Sequence, residues 1–168
     1  MNAAVVHHLL ASRSRSTAVF LDFRAAFDVV SHTRLAGILE KRGCPRYIQA
    51  LIRSLIFDGL RSRVLVNGGA SDWFTRTRGV FQGSPLSPYL FNMYIDGLLD
   101  LLNEGITGPP VCLFYADDGV LVTPMRVNVQ ELLDKVYAWS VENTIKLNVK
   151  KYGHISTRFR PQPLFLGT

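Results

Sequence analysis

Apolar residues along the chain recur with two periods, and the alternation between them outlines the elements. Helical spacing joins Val5, Val6, Leu9 and Leu10, so residues 2–11 read as the tail of a helix. Val19 to Phe23 is a short run of buried-strand character. Ser31 has the chemistry of an N-cap, and Leu35, Ile38 and Leu39 then form a stripe that stops at Gly43. Pro45 opens a second helix carrying Ile48, Leu51, Ile52, Leu55 and Ile56. Asn67-Gly68-Gly69 lies between 63–66 and 73–77 and predicts a hairpin. A long amphipathic helix is predicted over 87–103 and another over 129–142, where Leu132, Leu133, Val136 and Trp139 share a face. Val111 to Tyr115, Val120 to Thr123, Ile145 to Asn148 and Tyr152 to Ser156 read as strands. Setting aside the inserted helices and hairpin, the order is βαββαβ. That order predicts an α+β fold with a split-βαβ (ferredoxin-like) antiparallel sheet and helices on one face.

Composition narrows the function classes. The chain has 168 residues, 48% of them hydrophobic and 19% charged, enough apolar content to bury a core and unlike a disordered tail. Nineteen Lys and Arg face thirteen Asp and Glu, giving +6, and fourteen of the cations are Arg. Arg grips phosphate through a planar fork, so a polyanionic partner is expected. The two cysteines, Cys44 and Cys112, form no CxxC pair, which argues against a disulfide scaffold or a Cys-rich zinc site. No apolar run approaches the length of a membrane span, and no signal peptide shows at the start. An intracellular protein, nuclear or cytoplasmic, is expected.

Two acidic positions are delivered by hydrophobic strands. Asp22 ends Ala18-Val19-Phe20-Leu21-Asp22-Phe23, and Asp117-Asp118 stands between the strands of 111–115 and 120–123. A buried lone carboxylate is costly, so such groups are paired, solvated or bound to a cation. If the strands are neighbours, Asp22 and Asp117 converge and repel unless a cation neutralises them. Mg²⁺ suits an all-oxygen site completed by substrate phosphates. The plainer readings are a turn at Asp117-Asp118-Gly119 and a helix-dipole partner at Asp22.

The ordered set of motifs carries a resemblance. Phe20-Leu21-Asp22-Phe23-Arg24-Ala25-Ala26-Phe27-Asp28 resembles the first palm motif of reverse transcriptases, especially those of non-LTR (LINE-like) retrotransposons. Arg78-Gly79-Val80-Phe81-Gln82-Gly83-Ser84-Pro85-Leu86 resembles the second, Phe114-Tyr115-Ala116-Asp117-Asp118 the third, and Leu147-Asn148-Val149-Lys150-Lys151 the fourth. Phe165-Leu166-Gly167 is similar to the short fifth motif. The resemblance implies an RNA-directed DNA polymerase palm that transfers a nucleotide from a dNTP to a DNA primer 3′-hydroxyl on an RNA template. It implies Asp22, Asp117 and Asp118 as catalytic carboxylates. It implies two Mg²⁺ ions, replaceable by Mn²⁺, held by Asp22, Phe23 and Asp117. Phe23, Arg24, Ala25, Ala26, Phe27, Gln82, Gly83 and Lys151 would bind the nucleotide. Within that set Phe27 matches the aromatic gate under the sugar, and Lys151 the cation near the leaving pyrophosphate.

The motifs also depart from the pattern. Phe81 stands where relatives usually carry a polar or basic residue or Pro, Gly119 where a polar residue is common, and Tyr152 where Thr is usual. Other readings remain open at this point: Phe27 as core packing, Lys150 in place of Lys151, and His7, His8 and His154 as surface histidines. Arg61, Arg63, Arg76 and Arg78 around the hairpin, and Lys146, Lys150, Lys151, Arg158 and Arg160 further on, form either phosphate-tracking patches or solvated faces. Residues 1–17 are expected to be a remnant of fingers or a connecting helix, and 18–168 the palm. Fingers and thumb are expected in a longer polyprotein, with no membrane partner. The alternatives are an inactive retroelement remnant that only binds nucleic acid, and an RNA-dependent RNA polymerase, against which Phe27 and Ala116 argue.

Overall fold

The computed structural model describes residues 16–58, 61–104, 112–124 and 127–156. The helix expected over residues 2–11 and the motif Phe165-Leu166-Gly167 lie outside the described residues. These fall into two compact units: the chain up to Ala26 together with residues from Ile95 on, and Phe27–Tyr94.

The first unit is organised around β1 (Ser16–Arg24), a nine-residue strand hydrogen-bonded along both edges. β6 (Cys112–Tyr115) and β7 (Asp118–Pro124) form a hairpin, and β7 lies antiparallel along β1 from Ser16↔Pro124 to Asp22↔Asp118. The other edge of β1 is shared by two short antiparallel strands. β8 (Lys146–Leu147) pairs with Phe23 and Arg24, and β9 (Gly153–Ser156) with Thr17 to Phe20. The spatial order β6-β7-β1-β8/β9 is that of the expected split-βαβ sheet. The crossovers are the helices α4 (Ser87–Asn103) and α5 (Val129–Glu142), with the bounds that the apolar periodicity predicts. Asn128 caps α5 by accepting from the N–H groups of Gln130 and Glu131.

Alternation along β1 assigns its two faces. Phe23 tilts against Trp139 of α5 at 6.3 Å between centroids, and a methyl group at Gly97 of α4 would lie 3.9 Å from the indole nitrogen of that Trp. Both crossover helices thus gather on the Leu21–Phe23 face. The opposite face carries Ala18 and Val120 with half-buried Phe20 and Val122 packed beside them, and it ends at Asp22.

Gly119, the departure beside the paired aspartates, has a packing reason. It stands on β7 between Phe114 of β6 and Leu21 of β1. The Phe114 ring lies across it and stacks on Phe23 two strands away, with centroids 5.7 Å apart. A Cβ at position 119 would meet the Phe114 ring, with Cζ only 2.7 Å away. The ring occupies the space a side chain would need, an aromatic covering a strand glycine.

The second unit begins with α1 (Ala26–Val29), which opens it at Phe27, and α2 (His32–Lys41), capped by Ser31. α3 (Arg46–Ile52) follows and runs on into a π-helical turn, Arg53–Phe57. The hairpin differs from the expected single ladder. Asn67 and Gly68, at φ 48° and 78°, make the two-residue turn, so Gly69 belongs to a strand. β3 (Leu65–Val66) pairs with β4 (Gly69–Ala70), and β2 (Arg61–Ser62) pairs with β5 (Phe74–Thr75). Between the two pairs only Arg63 and Val64 face Ser71, Asp72 and Trp73. The extra residue is a bulge, held where Ser71 Oγ accepts from the Val64 N–H at 3.0 Å. Sequence periodicity carries no mark of such an insertion. His154, expected at the surface, is half-buried on β9 opposite Val19, and its Nε2 is buried.

Because Phe114 fills the place of a side chain at 119, Gly119→Ser is expected to cost about 1–3 kcal/mol in urea unfolding. In Phe114→Ala/Gly119→Ser the two costs should fall short of additivity by about 0.5–3 kcal/mol. Strict additivity would show that the ring does not fill that space.

Candidate active site

The site is built at the end of β1. Asp22 is 7% exposed, although it terminates a strand. Both of its oxygens are engaged. Lys151 Nζ donates to Oδ1 at 3.0 Å, and Asn148 Nδ2 donates to Oδ2 at 2.7 Å. The Asn148 N–H also donates to the Asp22 carbonyl at 2.8 Å, and the Lys151 N–H to the Asn148 carbonyl at 3.0 Å. The segment after β8 is thus folded under Asp22 as a turn. Asn148 received no role from the sequence: its contact spans 126 positions and depends on the pairing of Phe23 with Leu147.

The second carboxylate source is the β6–β7 turn. Tyr115 and Asp118 are paired, so Ala116 and Asp117 are its two central residues. Ala116 sits at φ 53°, a left-handed value that costs an alanine about 1–3 kcal/mol. The turn is tied to β1 where the Phe23 N–H donates to the Asp117 carbonyl at 3.3 Å. Asp118 stands directly opposite Asp22, on the same face of the sheet. Asp117 is half-buried and Asp118 exposed.

Like charges on paired strand positions repel. Here the compensating charge is the Lys151 ammonium, on a side chain that remains 67% exposed. Its pKa is raised, first by the hydrogen bond to Asp22 and by that carboxylate's charge, then by Asp118 and Asp117. Of the three carboxylates, Asp22 is the one in contact with the ammonium, at 3.0 Å. Lys150, the other candidate in the motif, is exposed, and the ion pair falls to Lys151. Among the described residues no group of three His, Cys, Asp or Glu is placed so that it could hold a metal ion by itself. The donor set still suits a hard divalent ion, which takes one or two carboxylates and leaves its other positions to water and phosphate.

The remaining positions from the motifs are placed as follows. The Phe23 side chain is buried in the Phe114–Trp139 stack, so only its backbone is open to a ligand role. Arg24 is exposed at the end of β1, Ala25 adopts φ 48°, and Ala26 is buried. In the second unit, Phe27 is half-buried with its ring stacked on Phe91 at 4.9 Å. Its carbonyl accepts from the Val80 N–H at 2.8 Å, which ties the first and second motifs together. Gly79, at φ 88°, runs against the Asp28 carbonyl, 2.8 Å from where a Cβ would stand. Gln82 is exposed and reaches Asp28 Oδ2 from Nε2 at 3.4 Å, a role for Asp28 that the sequence did not suggest. Gly83, also at φ 88°, has open space around it.

The raised pKa of Lys151 has a defined sign. On the lysine side the charge is fully present below the ordinary value of 10.5 and is lost only as pH rises through the higher folded value. Replacing Asp22 by Asn should return Lys151 toward the ordinary value. An NMR titration of the lysine side-chain carbons reads this directly; an unmoved Lys151 would show that Asp22 does not hold it.

Comparison with known proteins identifies the family and the fold. The model of the family "Reverse transcriptase (RNA-dependent DNA polymerase)" matches residues 2–167. The chain is 34% identical over 145 residues to a retrovirus-related Pol polyprotein from the type-1 retrotransposable element R2 of Popillia japonica, covering 82% of this chain and 24% of that protein. It is 33% identical over 147 residues to the Pol polyprotein of the R2DM element of Drosophila melanogaster, covering 84% of this chain and 14% of that protein. The chain thus spans a quarter or less of the length of these two relatives. A telomerase structure from Candida tropicalis superimposes with a TM-score of 0.71 at 17% identity, over 96% of this chain and 36% of that one, a likeness of fold. The chain belongs to the reverse transcriptase family, on the branch of the non-LTR retrotransposon polymerases.

Proposed function

We propose that this chain is the palm of a reverse transcriptase in which Asp22 and Asp117, with the Phe23 backbone, hold the two divalent metals for nucleotidyl transfer and Asp118 is a supporting carboxylate. The observation that carries the reading is the convergence at one end of the sheet of Asp22, paired with Lys151 at 3.0 Å, and Asp118, directly opposite it on β7. A primer 3′-hydroxyl attacks the α-phosphate of a dNTP opposite an RNA template, the new P–O bond forms, and pyrophosphate leaves. Two Mg²⁺ ions, when bound, would lower the cost of ionising the hydroxyl and screen the charge on the phosphates.

The chain's own residues supply position and charge. Asp22 is held rigidly by Asn148, so its carboxylate needs little reorganisation to meet a cation. The Phe23 N–H bond to the Asp117 carbonyl keeps the turn in register with β1. Lys151 carries its proton at Nζ; released from Asp22, it would place that positive charge toward the leaving pyrophosphate. Phe27 would set sugar choice, its ring braced from behind by Phe91. Gln82, tethered by Asp28, and the open backbone at Gly83 would meet the nucleotide and template. The partners on this reading are RNA template, DNA primer and dNTP. Among the described residues no helix is long and apolar enough to cross a membrane.

Two substitutions in the full-length protein test the reading. Asp22→Asn and Asp117→Asn should each lower primer extension about a thousandfold, several kcal/mol of lost charge stabilisation, with the circular dichroism spectrum unchanged. Robust synthesis by Asp117→Asn would remove the turn from the catalytic site. A parent protein that extends no primer would instead favour a remnant that only binds nucleic acid.

Phe27→Val tests the gate separately. Ribonucleotide incorporation should rise relative to deoxyribonucleotide while RNA-templated synthesis persists. Unchanged discrimination in an active enzyme would place the gate elsewhere.

A further inference from the structure

The two oxygens of Asp22 are held by groups of different kinds. Oδ2 accepts from Asn148 Nδ2 at 2.7 Å, and Oδ1 from Lys151 Nζ at 3.0 Å. Asn148 is the better anchored of the two. It follows Leu147, which pairs with Phe23, and its own N–H donates to the Asp22 carbonyl at 2.8 Å. Lys151 lies further along that turn, tied to it where its N–H donates to the Asn148 carbonyl at 3.0 Å. Its ammonium rides a flexible stem, and the side chain is 67% exposed against 8% for that of Asp22. Oδ1 therefore carries a partner that can leave, and Oδ2 one that is built into the edge of the sheet.

The neighbouring carboxylates are open by comparison. Among the described residues neither Asp117 nor Asp118 forms a salt bridge, and Asp118 lies exposed across from Asp22. Asp22 is thus the one of the three whose charge is already matched by a cation. A divalent ion drawn to Asp117 or Asp118 meets an ammonium at the next carboxylate. The two cations repel, and one carboxylate oxygen does not serve both at close range. Displacing the lysine undoes little packing, since its stem already lies in solvent. Lys150 carries the same charge, is exposed and forms no salt bridge among the described residues. It adds to the positive field of the turn without the contact.

We infer that Lys151 and the first divalent ion are alternative occupants of Asp22 Oδ1, so that the resting chain holds its metal site shut with its own ammonium. The inference rests on the reading of Asp22 and Asp117 as metal ligands and adds how entry to that site is controlled. Ion binding releases the lysine, and the affinity for the ion carries the cost of breaking one ion pair at a buried carboxylate. A lysine that only completed the fold would, on removal, leave ion affinity unchanged or lower.

The test is ion binding by the 168-residue chain itself, followed by NMR without substrate at physiological ionic strength. Mn²⁺ broadening of the Asp22 and 116–118 amides gives the affinity, and Mg²⁺ shifts the Lys151 side-chain signals without broadening them. In Lys151→Met the Mn²⁺ affinity at Asp22 should rise about tenfold, the effect of removing one competing charge-assisted contact. In Lys150→Met it should change by less than about twofold, because a solvated charge without the contact is screened. In the parent chain the Lys151 Cε and Hε signals should move to free-lysine positions with the same Mg²⁺ dependence as the Asp22 amide, a readout that needs no variant. Amide signals of β1 and β7 remote from the ion report an intact fold. Unchanged affinity in Lys151→Met, an equal rise in Lys150→Met, or a Lys151 side chain that does not move while the Asp22 amide responds would each overturn the inference and leave the metal reading standing. An Asp22 amide that responds to neither ion overturns both.

Discussion

Carboxylates gathered at one end of a sheet repel one another, and the one that is buried, Asp22, is the one that takes a cation as partner. Asp22 and Asp118 face each other across paired strands, Asp117 sits in the turn beside them, and Lys151 supplies the charge they require. The rest of the first unit serves this juxtaposition. β1 runs through the middle of the sheet so that its last residues meet the β6–β7 turn on one edge and the segment after β8 on the other. The two crossover helices gather on the Phe23 face, opposite the face on which Asp22 lies.

On the proposed reading, a lysine at this position would give the site two arrangements. With Lys151 on Asp22, the repulsion is relieved within the protein and a buried carboxylate is satisfied. With a divalent ion on the carboxylates, the ammonium is free to act on another anion. A partly exposed, flexible side chain suits such an exchange, because little packing has to be undone when it leaves. Asn148 is a neutral donor on the other oxygen of Asp22.

Much of this was legible in the sequence, for physical reasons that differ by element. Helix α5 and the cap at Ser31 follow from local periodicity and side-chain chemistry, which do not depend on the rest of the chain. Asp22 and the Asp117-Asp118 pair stood out because hydrophobic strands deliver them. The choice of Lys151 over Lys150 rested on motif alignment and gained a physical basis only from the turn under Asp22. Asn148, Asp28 and the covering of Gly119 by Phe114 were hidden, since each depends on strand register or on contacts far along the chain. The bulge at Ser71 was hidden too: an inserted residue leaves the hydrophobic pattern of so short a hairpin unchanged. Where the chain departs from its family, at Gly119 and Phe81, a neighbouring ring or guanidinium makes use of the change.

The central claim is that Asp22, Asp117 and Asp118 form one cation site. Paramagnetic broadening by Mn²⁺ in the NMR spectrum of the chain tests it most directly, since the effect falls steeply with distance from the ion. Substoichiometric Mn²⁺ should selectively erase the backbone signals of Asp22, Phe23 and 116–118, together with those of Asn148 and Lys151, and an excess of Mg²⁺ should restore them. Broadening centred on other acids, such as Asp100 and Glu104 or Glu131 and Asp134, with the Asp22 signals intact, would contradict the account.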